Sequence, residues 1–395
     1  MKVLVCAVCD YESNPCGGEV FLLNNLFRSN NNRDISYCLV GLSFNNNFPV
    51  GQWIKRKIGN LDYDVFYVDQ ITKSKEKSKI PFRLRMVLGI YKYYEKLTSV
   101  CPNYVYIHSA ELFLPFNKST LKMVYHVHGD PSQTLAVSRF PVFRNNYFVN
   151  MYNKMLHKCL KRSDLIVWAA ERSMQLYLQR YPSYERLVRS KSTIVHSSFD
   201  DRMGANFTSV PLNDNYINLA TVGRLSKVKN HEFIFRVVSE LVKKSYNVNL
   251  IVCGDGEEKK SLVELSKKLN IENNIVFLGE CDKNQISYVL EMSSAFIFAS
   301  VNEAMSLVVL ESLYMGTPVV SSNCGDIHLV VKDGETGFII SDYSVEKFCT
   351  AIIEIIKNGK SYYSDNCKLT AMDFTPERMS FKINTLFLNW GGKNG

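Results

Sequence analysis

The chain reads as α/β: two doubly wound, Rossmann-like domains, each a mostly parallel sheet covered by helices, facing each other across a hinge. Three observations lead there. Short apolar runs alternate with helical stretches along nearly the whole chain, the pattern of a parallel sheet built with crossover helices. The alternation is interrupted by a polar stretch, SSFDDRMGANFTSVPLNDN (197–215), and then restarts. At 395 residues the chain is too long for one ordinary core. The first domain is set at 1–200 and the second at 201–375, with a C-terminal helix over about 376–395 packing back on the first.

The elements follow in order. MKVLVCAVCD holds a short apolar run ended by Asp10, too short and too weakly basic for a signal peptide, and reads as a first buried strand. ISYCLVGL, DVFYV, YVYIH, MVYHV and DLIVWAA read as further strands. KSKEKSKIPFRLRMVLGIYKYYEK is a Lys-rich loop running into a helix with apolar Leu84, Val87, Leu88, Tyr91 and Leu97, and with Arg83, Arg85, Lys92 and Lys96 elsewhere. Past the polar stretch come INLATV, a helix near 231–244, VNLIVC, a helix near 257–269, NIVFLG, a helix near 283–292, and AFIFAS. NEAMSLVVLES then opens a short helix with Ser306 as its N-cap, which puts Glu303 in the loop before it and Glu311 early on it. Gly316 and Pro318 end that helix, and Val319 begins a new strand.

Composition excludes several classes. No segment approaches the roughly 20 apolar residues needed to span a bilayer. The eleven cysteines are scattered through apolar strands, as with Cys6, Cys38 and Cys253, which fits reduced core thiols and a cytoplasmic setting. Cys6 and Cys9 form a C-x-x-C with no second pair to close a zinc site. The net charge of +9 is uneven: residues 1–200 carry 27 Lys and Arg against 15 Asp and Glu, and residues 201–395 carry 20 against 23. A basic amphipathic helix in the first half can lie on an anionic membrane surface. On that segment alone, a core-packed helix with a solvated basic face is the plainer interpretation. Nucleic acid is disfavoured, because the aromatics fall at helical spacing and form no stacking stripe.

The chemistry gathers at strand ends, where open α/β sheets bind ligands. GRLSKVKN follows INLATV directly: Gly223 allows a sharp turn, and Arg224 and Lys229 stand before an amphipathic helix. Two cations beside a helix N-terminus suit a diphosphate, although either one alone is the pattern of a solvated loop charge. CGGEV puts Gly17 and Gly18 at the turn after the first strand. Paired glycines let a backbone approach a ligand, although GG in isolation reads as a plain turn, and no G-x-G-x-x-G dinucleotide fingerprint is present. His126 and His128 share a strand face, but no carboxylate or third His stands at metal-ligand spacing, so no metal site is expected. Asp62-Tyr-Asp64 precedes its strand and reads as a turn.

Taken in order, CGGEV, VYHVHGD, TVGRLSKVKN, VCGDGEEKKSLVEL, NIVFLGE, NEAMSLVVLESLYMGTPVVSS and VKDGETGFII resemble the retaining glycosyltransferases of family 4, which have the GT-B fold. The resemblance is most specific over 217–340 and looser in the first half, and it implies that 1–200 is the acceptor-binding domain and 201–375 the nucleotide-sugar donor-binding domain. It implies transfer of a hexose-type sugar from a UDP- or GDP-linked donor, with no metal or other cofactor. The implied acceptor is a glycan or lipid-linked glycan, in synthesis of capsule, O-antigen or exopolysaccharide at the inner face of the plasma membrane. Residue by residue, it implies that Glu303 contacts hydroxyls of the transferred sugar and that Glu311 grips the nucleotide ribose. Arg224 and Lys229 would neutralise the leaving diphosphate, and His128 would stand near the transferred sugar. Gly17, Gly18, Gly223, Gly254, Ser306, Leu307 and Val308 complete the implied donor site. The chain departs from the family at Ala304, at Gly325-Asp326-Ile327-His328-Leu329 and at Ser197-Ser198. A nucleotide-sugar epimerase on the same fold and a non-catalytic nucleotide-sugar-binding protein are the alternatives.

Overall fold

The computed structural model describes residues 1–12, 18–44, 48–71, 80–134, 141–204, 210, 212 and 215–392. The chain divides into two compact units, Met1–Ser197 with Pro376–Gly395, and Ser198–Thr375.

In the first unit the strands are β1 (Lys2–Cys6), β2 (Ser36–Phe44), β3 (Trp53–Ile58), β4 (Leu61–Ile71), β5 (Tyr104–Ile107), β6 (Lys122–Val127), β7 (Leu165–Trp168) and β8 (Ser192–Ile194). They form one sheet in the order β3-β4-β2-β1-β5-β6-β7-β8, parallel throughout except for β3 against β4. Its helices are α1 (Gly18–Arg28), α2 (Phe82–Lys92), α3 (Tyr94–Thr98), α4 (Asn146–Arg162), α5 (Glu171–Arg180) and α6 (Glu185–Arg189). Alternate residues of β1 supply opposite cores: Leu4 and Cys6 join one apolar cluster, Val3 and Val5 the other. This two-sided burial is why the strand is apolar from Val3 to Cys6. Cys6 and Cys9 are buried and unbridged, and burial pushes both thiols above their ordinary range, as core thiols require.

In the second unit the strands are β9 (Ile217–Val222), β10 (Val248–Cys253), β11 (Ile275–Gly279), β12 (Ala295–Phe298), β13 (Val319–Ser322) and β14 (Gly337–Ile340). Their order is β11-β10-β9-β12-β13-β14, with every pairing parallel. The helices are α7 (His231–Lys243), α8 (Lys259–Lys268), α9 (Lys283–Met292), α10 (Leu307–Tyr314), α11 (Val345–Asn358) and α12 (Lys360–Ala371). The last helix, α13 (Pro376–Gly392), packs in the first unit beside α1. Its Met379, Ile383 and Phe387 are buried there, and Asn384 accepts a 2.7 Å hydrogen bond from the Tyr37 hydroxyl and donates to Asn30.

Four expectations are corrected. Asp62 and Asp64 lie within β4, opposite Lys57 and Lys55 of the antiparallel β3, and Asp64 pairs with Lys55 at 3.4 Å. The turn itself is at Gly59, whose φ is +62°. The polar stretch does not begin as a linker. Phe199 is fully buried in the second core with its ring 4.5 Å from that of Tyr314, and buried Asp200 pairs with Arg202 and Lys283. Residues 205–209, 211, 213 and 214 of that stretch lie outside the described residues. The basic helix is two, α2 and α3, and of its expected apolar face only Val87 and Leu97 are buried. Gly89 explains this: a Cβ there would lie 2.6 Å from Val68, so α2 sits close on β4 through Met86, Val87, Gly89 and Ile90 and turns Leu84, Leu88 and Tyr91 outward. Finally, Arg83 and Arg85 are not solvated face charges but pair with Glu111 and Asp69.

Candidate active site

In the second unit β9 lies between β10 and β12, so the chain's connections diverge to either side of it. Such a switch point opens a crevice past the strand ends. The loops leaving the strands there are laced together. Gly223 N–H donates to the Cys253 carbonyl at 2.9 Å, Leu225 N–H to Asp255 at 3.0 Å, and Glu258 N–H back to Leu225 at 3.0 Å. Val301 N–H ties the loop after β12 to Val228 at 2.9 Å. Gly223 and Gly254 are the pivot: both have strongly positive φ, and a Cβ on Gly254 would lie 2.0 Å from the Gly223 carbonyl oxygen. Only glycine allows the two backbones to touch at this point.

That platform brings Lys229 and Glu303 together. The Lys229 ammonium is 2.5 Å from the Glu303 carboxylate, with side chains 24% and 21% exposed, and it stands 5.5 Å from the Phe298 ring centroid. Ser300 donates a 3.4 Å hydrogen bond to the same carboxylate oxygen. The loop carrying Glu303 is fixed from behind: Asp326 N–H donates to the Ala304 carbonyl at 2.9 Å, and Gly325, at φ +61°, lets the chain pass where a Cβ would lie 2.3 Å from that oxygen. The residues that depart from the family pattern, Ala304, Gly325 and Asp326, therefore brace one another. Arg224 reaches elsewhere, to Glu257 at 3.0 Å, in a pair whose side chains are 74% and 55% exposed. Glu257 escaped the sequence analysis; its only signal was an acid just past the GDG turn.

Ser306 does occupy the N-cap of α10, but its hydroxyl makes no capping bond. The N–H groups of the first turn, at Leu307 and Val308, thus receive no side-chain cap, and those groups carry the helix's positive end. Glu311 stands one turn further on. Burial pushes its carboxyl up to about 7, with Lys283 opposing the rise.

In the first unit, Gly17 lies outside the described residues and Gly18 is the first residue of α1. His128 follows β6 directly, and here the expectation of no third histidine fails. His108, just past the end of β5, joins His126 and His128, with one nitrogen of each within 4.8 Å of the others. Parallel pairing of β5 with β6 aligns Ile107 with Tyr125, a juxtaposition that spacing along the chain does not reveal. Burial holds all three imidazoles below the ordinary histidine range, His128 at about 3, so they are neutral at pH 7. Neutral imidazoles are metal-ligand types, but these already bond within the cluster. His108 Nδ1 and His128 Nε2 are 3.0 Å apart, and the Tyr106 hydroxyl is 2.6 Å from His126 Nδ1. A cavity of about 120 Å³ adjoins His108 and His128, lined also by Glu19, Arg83, Ser109, Tyr125 and Tyr152 among others. None of those five stood out in the sequence as a site residue, although Glu19 directly follows the paired glycines.

A fold of two such parallel α/β units is the GT-B fold of glycosyltransferase structures. Sucrose-phosphate synthase from Thermosynechococcus elongatus superposes with a TM-score of 0.75 over 100% of both chains, at 13% identity. Residues 204–367, nearly all of the second unit, match the family model of the group 1 glycosyl transferases. An uncharacterized glycosyltransferase of Haemophilus influenzae is 30% identical over 164 residues, 41% of this chain and 46% of that one. The N-acetylgalactosamine-N,N'-diacetylbacillosaminyl-diphospho-undecaprenol 4-alpha-N-acetylgalactosaminyltransferase of Campylobacter jejuni is 30% identical over 185 residues, 46% of this chain and 48% of that one. The chain thus spans about half the length of these two relatives. No helix among the described residues is long and apolar enough to cross a membrane.

Proposed function

We propose that the protein is a retaining, metal-independent glycosyltransferase. It moves a hexose-type sugar from a UDP- or GDP-linked donor to a glycan or lipid-linked glycan in cell-surface polysaccharide synthesis. The observation that carries this is the Lys229–Glu303 pair, half-buried at the switch point of the second sheet. In the reaction the bond from the sugar's anomeric carbon to the diphosphate breaks while a bond to the acceptor oxygen forms on the same face. The acceptor's proton passes to the departing phosphate oxygen. Negative charge therefore grows on the diphosphate, and a cation in a partly desolvated setting stabilises it where a metal otherwise would. Arg224, in a mostly exposed pair, is free to exchange Glu257 for a doubly charged ligand. Glu303 accepts two hydroxyl protons of the sugar, and Glu311 does the same for the ribose diol. The similarity to the Campylobacter enzyme, whose name specifies a diphospho-undecaprenol substrate, supports a lipid-linked acceptor.

Association with an anionic membrane, at the inner face of the plasma membrane, belongs to the same proposal. Leu84, Leu88 and Tyr91 of α2 are 47%, 57% and 53% exposed at the spacing of one helix face, and the unit that carries them holds the chain's basic excess.

The test is turnover of the purified full chain with a panel of UDP- and GDP-sugars, with and without a chelator, the product's anomeric configuration being read by nuclear magnetic resonance. Retention of configuration with undiminished rate in chelator is expected. Strict dependence on Mg²⁺ or Mn²⁺ removes metal independence, a new nucleotide sugar formed from donor alone indicates an epimerase, and binding without turnover leaves only a binding protein.

A further inference from the structure

The three histidines of the first unit use only part of their bonding capacity. His126 stands in β6 and His128 just past it, two residues on and so on the same side of the strand, and His108 comes to them from the end of β5. Their backbones are fixed by the sheet: β6 pairs with β5 on one side and β7 on the other, and His108 N–H donates to the Cys6 carbonyl at 3.2 Å. His126 is fully buried, and its Nδ1 is engaged by the Tyr106 hydroxyl at 2.6 Å. Its Nε2 has no hydrogen-bond partner among the described residues. A ring nitrogen withheld from both water and protein is costly, and it asks for an occupant beside it.

The spacing of the rings identifies it. Imidazoles on one tetrahedral metal, with bonds of about 2.0–2.1 Å, have their centroids roughly 5 Å apart and their ligand nitrogens roughly 3.3 Å apart. Here the centroids are separated by 4.6 Å for His126 and His128, 5.2 Å for His108 and His128, and 5.3 Å for His108 and His126. His108 Nδ1 and His128 Nε2, 3.0 Å apart, stand near one edge of such a tetrahedron, and one nitrogen of each residue lies within 4.8 Å of the others. The Tyr106 hydroxyl on His126 Nδ1 is the kind of outer bond that fixes the tautomer of a metal-binding histidine and turns Nε2 to the metal. The cavity beside His108 and His128 supplies an entry path and a fourth coordination position for water. Its charge does not oppose a dication, because Glu19 and Asp130 share the wall with Arg83, and Glu111 pairs with Arg83 at 3.3 Å.

We propose that His108, His126 and His128 form a three-histidine site for a divalent transition metal of the Zn²⁺ type, with Tyr106 as its positioning residue. Binding exchanges the contact between His108 Nδ1 and His128 Nε2 for two metal–nitrogen bonds. The proton between them retires to the outer nitrogen of its own ring, His108 Nε2 or His128 Nδ1, so each ring gives the metal a lone pair and stays neutral. Nitrogen donors suit Zn²⁺ and its neighbours and select against Mg²⁺ and Mn²⁺, the ions of which the proposed transfer is independent.

The test uses the full chain, stripped with a chelator and dialysed, and Zn²⁺ or Co²⁺ alone as the probe. Zn²⁺ should bind at one site per chain and raise the melting temperature as its concentration rises. X-ray absorption at the zinc edge should show three imidazole nitrogens at about 2.0–2.1 Å, and Co²⁺ should give the visible bands of a four-coordinate ion with no thiolate charge-transfer band. Tyr106→Phe keeps the ring and removes the hydroxyl from His126. It should weaken Zn²⁺ about 10- to 100-fold while the Co²⁺ bands persist, the scale of a lost outer-shell partner. His126→Phe removes a ligand and should weaken Zn²⁺ further and abolish those bands. Absence of Zn²⁺ binding, sulfur in the coordination shell, or a Tyr106→Phe protein that binds Zn²⁺ as the native chain does overturns the inference. If His126→Phe does not fold cooperatively, Tyr106→Phe and the absorption spectra decide.

Discussion

Lys229 and Glu303 leave different strands, β9 and β12, and meet at 2.5 Å. The pair holds both side chains in place, and under the proposed function each exchanges its partner for a ligand: the ammonium for a phosphate, the carboxylate for sugar hydroxyls. Glu303→Ala should lower kcat by roughly 10² or more while barely touching nucleoside diphosphate affinity, as expected when a transition-state contact is lost. Lys229→Ala should weaken nucleoside diphosphate as well as slow turnover. Calorimetry and steady-state kinetics on both variants check this. A Glu303→Ala protein that no longer binds nucleoside diphosphate would reverse the assignment.

Glu311 gives a pH signature. Its carboxyl sits at about 7 in the folded protein against an ordinary value of 4.5, because burial penalises the charged form. A raised folded value means that the proton is held better in the folded state. The stability it contributes is complete below about 4.5 and is lost as pH rises through about 7. Glu311→Gln should therefore remove part of the pH dependence in that window, on the order of 1–3 kcal/mol in the difference from the native protein. Denaturant unfolding at a series of pH values measures it, and parallel curves for the two proteins would refute it. Under the proposed function Glu311→Ala should also raise KM for every nucleotide sugar, since the proposed ribose contact would be made in ground and transition states alike.

Gly254→Ala sets a Cβ 2.0 Å from the Gly223 carbonyl oxygen at φ +141°. Neither backbone can yield without breaking the bonds that lace the two loops. A loss of about 2 kcal/mol or more is expected, with weakened nucleoside diphosphate binding. Gly279→Ala is the control: φ is +73° but the space is open, so strain of about 1 kcal/mol and unchanged binding are expected. Equal losses in both variants would show that backbone strain alone, and not the contact, matters.

The exposed stripe on α2 should be separable from catalysis. Leu84→Gln combined with Leu88→Gln should reduce flotation with anionic liposomes and leave turnover on a soluble acceptor unchanged. Raising salt should weaken the native protein's flotation, because screening shortens the reach of surface charge. Native protein that floats equally with neutral vesicles would remove the electrostatic part.

What was legible in the sequence was what burial writes locally. INLATV, VNLIVC and AFIFAS are apolar because both faces of a parallel strand are covered, and each became a strand. The placement of Lys229 and Glu303 in loops past strand ends, and of Ser306 at the N-cap of α10 with Glu311 on it, was readable because short apolar strands frame those loops. What stayed hidden depends on neighbours distant in the chain. β3 carries three consecutive basic residues, Lys55, Arg56 and Lys57, and makes sense only opposite β4. The third histidine is visible only once β5 lies beside β6. Leu84 and Leu88 look like core until Gly89 fixes which side of α2 meets the sheet. Asp200 looks like linker chemistry until Lys283 and Arg202 surround it.

The placement of α13 makes the chain an insertion in genetic terms: residues 198–375 form a cassette spliced into a host whose two ends, 1–197 and 376–395, belong together. Truncating at 375 would therefore damage the unit that comes first, stripping Met379, Ile383 and Phe387 from its apolar core and Asn384 from Tyr37 and Asn30. Conversely, a chimaera that exchanges only the cassette leaves the two host segments together, so under the proposed function donor preference is expected to travel with residues 198–375 as a block.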